Sequence, residues 1–372
     1  MKLLYITDNL AYWGGIERVL SDKMNYLIED GYDIYIVTSG QGLHPIPFPL
    51  DMRIHVYDLG VCFHQQYQYH GLKRLLKFFE FRSLYRNRLN AYIKDVSPDV
   101  ILCIRDHIVR SVVGLKKNIP VIYESHSLCR DIDFENTTLL HRITSFLDRR
   151  YFRNLDMIVT LTEGDAEDWK RYCKNTCVIP NIVHLNSTGV YSDCQSKEVI
   201  FAGRFETQKN IGALLDVWEL VQKVHPDWTL NVYGNGELKP YYEKEVRNRK
   251  LNIHINPAVS DIFEKYKESS MLIMTSMYEP FGLVLVEAMS CGIPVIAFDC
   301  PYGPADIINN EVDGYLVEDG NIIAFSERVC QLIEDEGLRR KMGESAISSA
   351  QRYKKNLIMP KWKVLFDNLI SM

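Results

Sequence analysis

Short apolar runs, rich in β-branched residues, alternate with longer stretches whose apolar positions recur every three or four residues. The short runs predict strands at Lys2–Thr7, Asp33–Val37, Arg53–Tyr57, Val100–Ile104, Pro120–Tyr123, Met157–Thr160 and Thr176–Ile179. A second series follows at Val199–Ala202, Thr229–Tyr233, Asn252–Ile255, Met271–Thr275, Pro294–Ala297 and Gly314–Val317. The longer stretches predict helices over Ile16–Glu29, Leu72–Asp95, Thr138–Phe152, Ile211–Val224, Leu238–Arg249, Gly282–Ser290, Ile322–Glu334 and Asn356–Ile370. Strand–helix alternation on this scale means parallel sheets joined by crossover helices. The polar, periodless stretch His184–Lys197 reads as a linker, so the expected organisation is residues 1–183, a linker over 184–197, residues 198–355, and a last helix over 356–372. Two doubly wound domains of this kind bind ligands at the carboxyl ends of their strands.

Bulk composition narrows the class. A chain of 372 residues is long enough for two cores. Its 47% hydrophobic and 24% charged content is that of a globular protein. A net charge of −5 disfavours nucleic acid as a partner. No apolar run approaches the roughly 18 residues that span a bilayer, and the N-terminus reads as a buried strand, so a cytoplasmic protein is expected. Nine cysteines fit a reducing compartment. Cys173 and Cys177, near His184 and Cys194, have metal-like spacing but no second pair, and ordinary buried thiols are expected.

The densest chemistry lies in Tyr278-Glu279-Pro280-Phe281-Gly282-Leu283 and on to Glu287 and Gly292. Pro280 disfavours helical backbone at Glu279, which places that carboxylate in the loop before a helix, with Glu287 about two turns in. The N–H groups of Phe281, Gly282 and Leu283 then point an anion site at the positive end of the helix. Carboxylates for hydroxyls beside amides for phosphate suit a nucleotide sugar.

This passage resembles the glutamate-x7-glutamate signature of the retaining family 4 glycosyltransferases, whose GT-B fold sets two Rossmann-like, doubly wound parallel-sheet domains face to face across a cleft. The resemblance implies that Glu279 contacts donor-sugar hydroxyls and Glu287 the ribose. The run Phe201-Ala202-Gly203-Arg204-Phe205-Glu206-Thr207-Gln208-Lys209 resembles the family's Gly-Arg-x4-Lys element and implies that Arg204 and Lys209 stabilise the leaving diphosphate. Gly234 and Gly236, after the strand Thr229–Tyr233, would let backbone approach the nucleotide, although a strand-to-helix turn uses glycine equally well. Gly14 and Gly15 resemble the N-terminal Gly-Gly turn that reaches the diphosphate; they do not form the dinucleotide G-x-G-x-x-G pattern, which disfavours a dehydrogenase. In Glu124-Ser125-His126, His126 is the choice for the family's sugar-facing histidine, with Glu124 a competitor. Asp131-Ile132-Asp133 looks like a metal motif, but the resembled enzymes need none, and neither metal nor cofactor is assigned. The loop Phe298–Ile308 resembles the form found in bacterial enzymes of capsule, O-antigen and teichoic-acid synthesis.

Residues 71–94 hold seven cations against Glu80 alone. Leu72, Leu75, Leu76 and Phe79 at helical spacing predict a core stripe opposite a basic face, and Phe78, Phe81 and Tyr85 make that face interfacial. Peripheral attachment to anionic lipid on the inner face of the cell membrane is the expectation.

The sequence therefore predicts a retaining glycosyltransferase moving a hexose or N-acetylhexosamine from a nucleoside-diphosphate sugar, UDP before GDP, to a glycan or polyprenyl-diphosphate-linked acceptor. Its rivals are a sugar-nucleotide 2-epimerase of the same fold and a non-catalytic nucleotide-sugar-binding subunit.

Overall fold

The computed structural model describes residues 1–116, 118–129 and 150–371. The helix expected over Thr138–Phe152 falls almost wholly outside the described residues, as do Asp131 and Asp133. The chain divides into two compact units: Met1–Leu161 with Asp165–Ile182 and Met359–Met372, and Val183–Ile358 with Thr162–Gly164.

The first unit is built on a seven-stranded sheet, every pairing parallel, in the order β3-β2-β1-β4-β5-β6-β7. Its strands are β1 Lys2–Thr7, β2 Asp33–Thr38, β3 His55–Asp58, β4 Val100–Cys103, β5 Val121–Glu124, β6 Met157–Thr160 and β7 Thr176–Val178. The central strands are buried on both faces, which is why they read as continuous apolar runs without alternation. Leu4, Ile6, Ile101, Tyr123 and Trp169 form much of the core. The terminal helix Lys355–Ile370 packs here through Phe366, whose ring lies 6.0 Å from that of Tyr32, and through a 2.6 Å ion pair between Lys363 and Asp30.

The helix Gly71–Val96 corrects one expectation. Leu72, Leu75, Leu76 and Phe79 do not face a core; they are exposed, Leu72 to 78% and Leu76 to 64%. The buried positions are Tyr85, Leu89, Ile93 and Val96, all in the second half. Periodicity located an apolar stripe, but only the second half of the helix has the unit's core against it.

The second unit holds a six-stranded parallel sheet ordered β10-β9-β8-β11-β12-β13. These strands are β8 Glu198–Ala202, β9 Thr229–Tyr233, β10 Ile253–Asn256, β11 Met271–Met274, β12 Val295–Phe298 and β13 Gly314–Val317. Phe201, Trp218, Leu230, Ile273, Phe298 and Phe325 anchor its core. The stretch 184–197, read from sequence as a linker, packs within this unit. Ser192 Oγ donates to Ser269 O at 2.7 Å, and Cys194 is buried, its carbonyl accepting from Arg339 Nε at 2.8 Å. Sequence periodicity missed the helix Glu336–Ala350, which is separated from Ile322–Glu334 by Asp335 alone and carries Gly337 and Gly343. Its signal was Asp335, whose side chain caps the helix at Leu338 N (2.8 Å).

Candidate functional site

Strand order reverses direction between β8 and β11, which are adjacent and parallel with Met271 opposite Val199. A reversal of this kind opens a crevice beyond the carboxyl ends of the two strands. The loop after β8 carries Gly203, Arg204 and Lys209, and the loop after β11 carries Glu279.

The two loops are tied together. Gln208 Nε2 donates to Tyr278 O at 2.9 Å, Met277 N donates to Gln208 O at 2.9 Å, and buried Thr275 sends its hydroxyl to Asn210 O at 3.2 Å. Across this seam Lys209 Nζ forms an ion pair with Glu279 Oε2, to which Ser276 Oγ also donates at 3.3 Å. Glu279 is further fixed through its backbone: its N–H donates to Pro301 O at 2.6 Å, and its carbonyl accepts from Gly303 N at 2.8 Å. Arg204 stands apart from this pair, its side chain 64% exposed and 3.0 Å from Glu206. The site thus holds one cation locked in place and one on a movable arm.

Glu279 lies in the loop before the helix Leu283–Ser290, as the proline after it requires. Gly282 caps that helix at φ 103°, a left-handed backbone that glycine adopts without strain. No side chain caps the helix, whose positive end is formed by Phe281, Gly282 and Leu283. Glu287 lies in the second turn, 5% exposed, with the Tyr266 hydroxyl 3.4 Å from Oε2. Cys300 is nearby, but burial, with Glu279 and Asp319 adding to it, pushes its thiol up to about 12, so it supplies no thiolate at neutral pH.

Gly234 and Gly236 have a packing duty whatever else they do. A Cβ on Gly234 would overlap the Gly203 carbonyl, and one on Gly236 would meet the Phe205 carbonyl oxygen at 2.6 Å. The two loops join here by Phe205 N donating to Asn235 O at 2.9 Å and Leu238 N to Phe205 O at 3.2 Å. Arg204, Lys209, Glu279 and the glycines 203, 234, 236 and 282 therefore lie on loops of one unit, with Glu287 on the helix that follows the last of them. Sequence reasoning missed Ser276, Gln208 and Thr275, whose value lies in contacts made across the fold.

His126, Gly14 and Gly15 lie in the first unit. Gly14 precedes the helix Gly15–Glu29, and the Glu17 carboxylate folds back over it, its Oε1 3.2 Å from Arg105 Nη2. His126 is buried just beyond β5, with Nε2 3.2 Å from Glu124 Oε1. Glu124, the competing candidate, is buried and already engaged by Lys23. All nine cysteines are free, and among the described residues no group of three or more His, Cys, Asp or Glu could hold a metal.

Comparison with known proteins converges with this geometry. Residues 13–187 match the family model "Glycosyltransferase Family 4", and residues 191–349 match "Glycosyl transferases group 1". The chain is 30% identical over 384 residues to the amylovoran biosynthesis glycosyltransferase AmsD of Erwinia amylovora, covering 98% of this chain and 99% of that one. It is 24% identical over 369 residues to a Campylobacter jejuni alpha-1,4-N-acetyl-D-galactosaminyltransferase named for an undecaprenol-diphosphate-linked acceptor, covering 97% of each. Among solved structures, Staphylococcus aureus TarM with UDP and alpha-GlcNAc-glycerol superposes with a TM-score of 0.79 at 17% identity, over 98% of this chain and 99% of that one. The lipopolysaccharide galactosyltransferase WaaB gives 0.75 at 20% identity, over 100% and 99%. Two parallel-sheet units and these neighbours establish the GT-B fold.

Proposed function

Since the chain belongs to the family 4 glycosyltransferases, we propose that it transfers a hexose or N-acetylhexosamine, with retention, from a UDP-sugar to a glycan or lipid-linked acceptor in bacterial surface-polysaccharide synthesis. The observation that carries this reading is the paired Lys209 and Glu279 at the mouth of an uncapped helix that buries Glu287 two turns in. The helix end and Lys209 suit the diphosphate, Glu279 the sugar hydroxyls, and Glu287 the ribose.

In this reaction the bond from the anomeric carbon to the phosphate oxygen breaks, and the acceptor oxygen bonds to the same face. The acceptor proton passes to the departing diphosphate oxygen. Negative charge grows on the diphosphate as the bond breaks, and Lys209 and Arg204 are the groups that stabilise it. Lys209 is already immobilised, so it loses little freedom when it binds. Arg204, exposed and planar, adds a bidentate contact by swinging onto the phosphate. His126, from the first unit, is the group proposed to meet the donor sugar. The chemistry uses no resident metal or cofactor in this reading.

UDP is favoured because a solved relative in fold holds it and because relatives such as the Streptococcus agalactiae GtfA subunit, 24% identical over 350 residues (84% of this chain and 69% of that one), are named for UDP-N-acetylglucosamine. The test is a panel of UDP-, GDP- and ADP-sugars, scored first for thermal stabilisation and then for nucleoside diphosphate released with lipid-diphosphate glycan acceptors. Stabilisation by UDP-sugars and acceptor-dependent UDP release support the reading; an epimerised donor without acceptor, or no release at all, overturns it.

The first half of the helix Gly71–Val96 is proposed to rest on an anionic membrane. Exposed Leu72, Leu75, Leu76 and Phe79 adjoin Lys73, Arg74, Lys77 and Arg82, the mixture of apolar wedge and cations that an anionic interface attracts. Among the described residues no helix is long and apolar enough to cross a membrane.

A further inference from the structure

The first unit holds a cavity of its own, about 460 Å³ in volume and within the size range of small-molecule sites. It lies beyond the carboxyl ends of β1, β2 and β4, where Asp8, Ser39 and His107 line it. In the order β3-β2-β1-β4 the neighbours β1 and β4 mark the switch point of the first sheet, the place where such sheets hold ligands. No residue assigned above to the donor is in its lining.

The lining joins hydroxyl-binding groups to phosphate-binding ones. Asp8 Oδ1 is 3.0 Å from His107 Nε2, and Asp106 lies 3.5 Å from the other ring nitrogen. Burial would lower the His107 pKa, but its bonds to Asp106 and then Asp8 outweigh it and raise it to about 10. The ring is thus a cation matched to these carboxylates, and Asp8 keeps acceptor capacity for hydroxyls. Two arginines come from different helices, Arg82 from Gly71–Val96 and Arg110 from Asp106–Val113. Both are half-buried, and each guanidinium carbon lies 5.3 Å from the centroid of an aromatic ring, Phe78 for Arg82 and Tyr151 for Arg110. A guanidinium held this way has little freedom left to lose, and its fork matches the oxygens of a phosphate. Among the described lining residues Asp8 is the one carboxylate, so the cavity keeps an excess of positive charge. Tyr85, 4% exposed, belongs to the same lining, and its hydroxyl has no hydrogen-bond partner among the described residues. A buried hydroxyl without a partner is costly, and a ligand oxygen would supply one.

The helix that carries Arg82 also connects the cavity to the surface. Phe78 lines the cavity, and its ring lies 5.6 Å from that of Phe79, which is 59% exposed in the stripe with Leu72, Leu75 and Leu76. One ring contact thus separates the arginines from an exposed apolar surface. A saccharide joined to a lipid through phosphate has a part for each of these features; a neutral glycan has a part for one.

We propose that this cavity holds the acceptor, and that the acceptor is a saccharide carrying a phosphate, which Arg82 and Arg110 bind while Asp8 takes its hydroxyls. This rests on the reading of the chain as a glycosyltransferase and narrows its acceptor from any glycan to a glycosyl phosphate. The stripe beyond Phe79 favours a lipid on the far side of that phosphate.

The experiment is calorimetric titration of the full chain with farnesyl-diphosphate-linked sugars, the same sugars as 1-phosphates, and their methyl glycosides. Each probe is made with glucose, galactose, N-acetylglucosamine and N-acetylgalactosamine. In at least one sugar series the phosphorylated probes bind, and the methyl glycoside binds about tenfold more weakly or not at all. Arg82→Gln and Arg110→Gln each weaken the phosphorylated probes about tenfold and leave UDP affinity unchanged. Arg82→Lys, which keeps the charge but not the fork, falls between. A tighter hold on the farnesyl probe than on the 1-phosphate, lost in Phe79→Glu, identifies the phosphate as lipid-linked; equal affinity identifies a soluble glycosyl phosphate. Three results overturn the proposal: methyl glycosides that bind as well as the phosphates, no binding of any phosphorylated probe, or undiminished binding in the folded arginine variants. Where one arginine variant does not fold, the other decides alone. None of these titrations uses a nucleotide sugar. A chain that binds glycosyl phosphates but no UDP-sugar would sink the functional reading and leave the cavity's ligand standing; the reverse would sink this inference alone.

Discussion

Lys209 and Glu279, seventy positions apart in the chain, share an ion pair that closes the seam between the loops after β8 and β11. Each is about one-tenth exposed, so the pair meets the crevice with little free water around it. In the proposed reaction the cation is therefore held in place before a substrate arrives. Replacing Lys209 with Ala removes a preorganised charge from the leaving diphosphate and is expected to cost about 3 kcal/mol, roughly 10²-fold in kcat. Glu279→Gln keeps the shape but frees the lysine, and is expected to lower kcat with less effect on UDP affinity. Steady-state kinetics on the two variants checks both.

Glu287, 5% exposed, is the proposed acceptor for the ribose hydroxyls. Glu287→Gln is expected to weaken UDP binding roughly tenfold, about 1.4 kcal/mol, while UDP-independent thermal stability changes little. Calorimetric titration with UDP reads the difference.

Gly234 has no room for a side chain, because its Cβ would strike the backbone oxygen of Gly203 rather than a movable side chain. Gly234→Ala is expected to destabilise the second unit by about 3 kcal/mol and to displace the loop bearing Arg204. Denaturant unfolding measures the first effect, and loss of UDP affinity measures the second.

The carboxyl of Glu124 is depressed from 4.5 to about 2, so it binds its proton more readily in the unfolded chain. The stability it contributes is complete above pH 4.5 and is lost as pH falls from there to about 2. Acid titration of unfolding is expected to show a shallower loss across that window in the double variant Lys23→Met/Glu124→Gln than in the native protein.

The exposed half of the helix Gly71–Val96 gives a surface prediction. The protein is expected to sediment with anionic vesicles at low salt and to be released as salt rises. Leu76→Glu with Phe79→Glu is expected to abolish sedimentation without loss of turnover on a water-soluble acceptor. Binding indifferent to salt would count against the assignment.

The strands were legible because burial on both faces writes them as uninterrupted β-branched runs; β1, β6, β9 and β13 have the bounds expected from sequence. The placement of the candidate residues in the second unit was legible because Arg204 to Lys209 and Glu279 to Glu287 are local patterns that follow strand ends. What local pattern could not show is which distant group each meets. Neither the Lys209–Glu279 pair nor the Lys23–Glu124 pair, 101 positions apart, has a sequence signature beyond a lysine in an apolar helix face. The stripe at Leu72 to Phe79 was misassigned for the same reason, since a 3.6-residue period reports an apolar face and says nothing of what covers it. The short helices Ile262–Lys267 and Gly303–Ile307 are one turn or little more, too brief for a period to register.

The most direct measurement of the central claim is a crystal structure with a non-transferable UDP-sugar analogue. The account predicts a diphosphate at the mouth of the helix Leu283–Ser290 against Lys209 and Arg204, the ribose on Glu287 and the sugar on Glu279. An analogue bound elsewhere, with none of these four side chains within hydrogen-bonding reach, would contradict it.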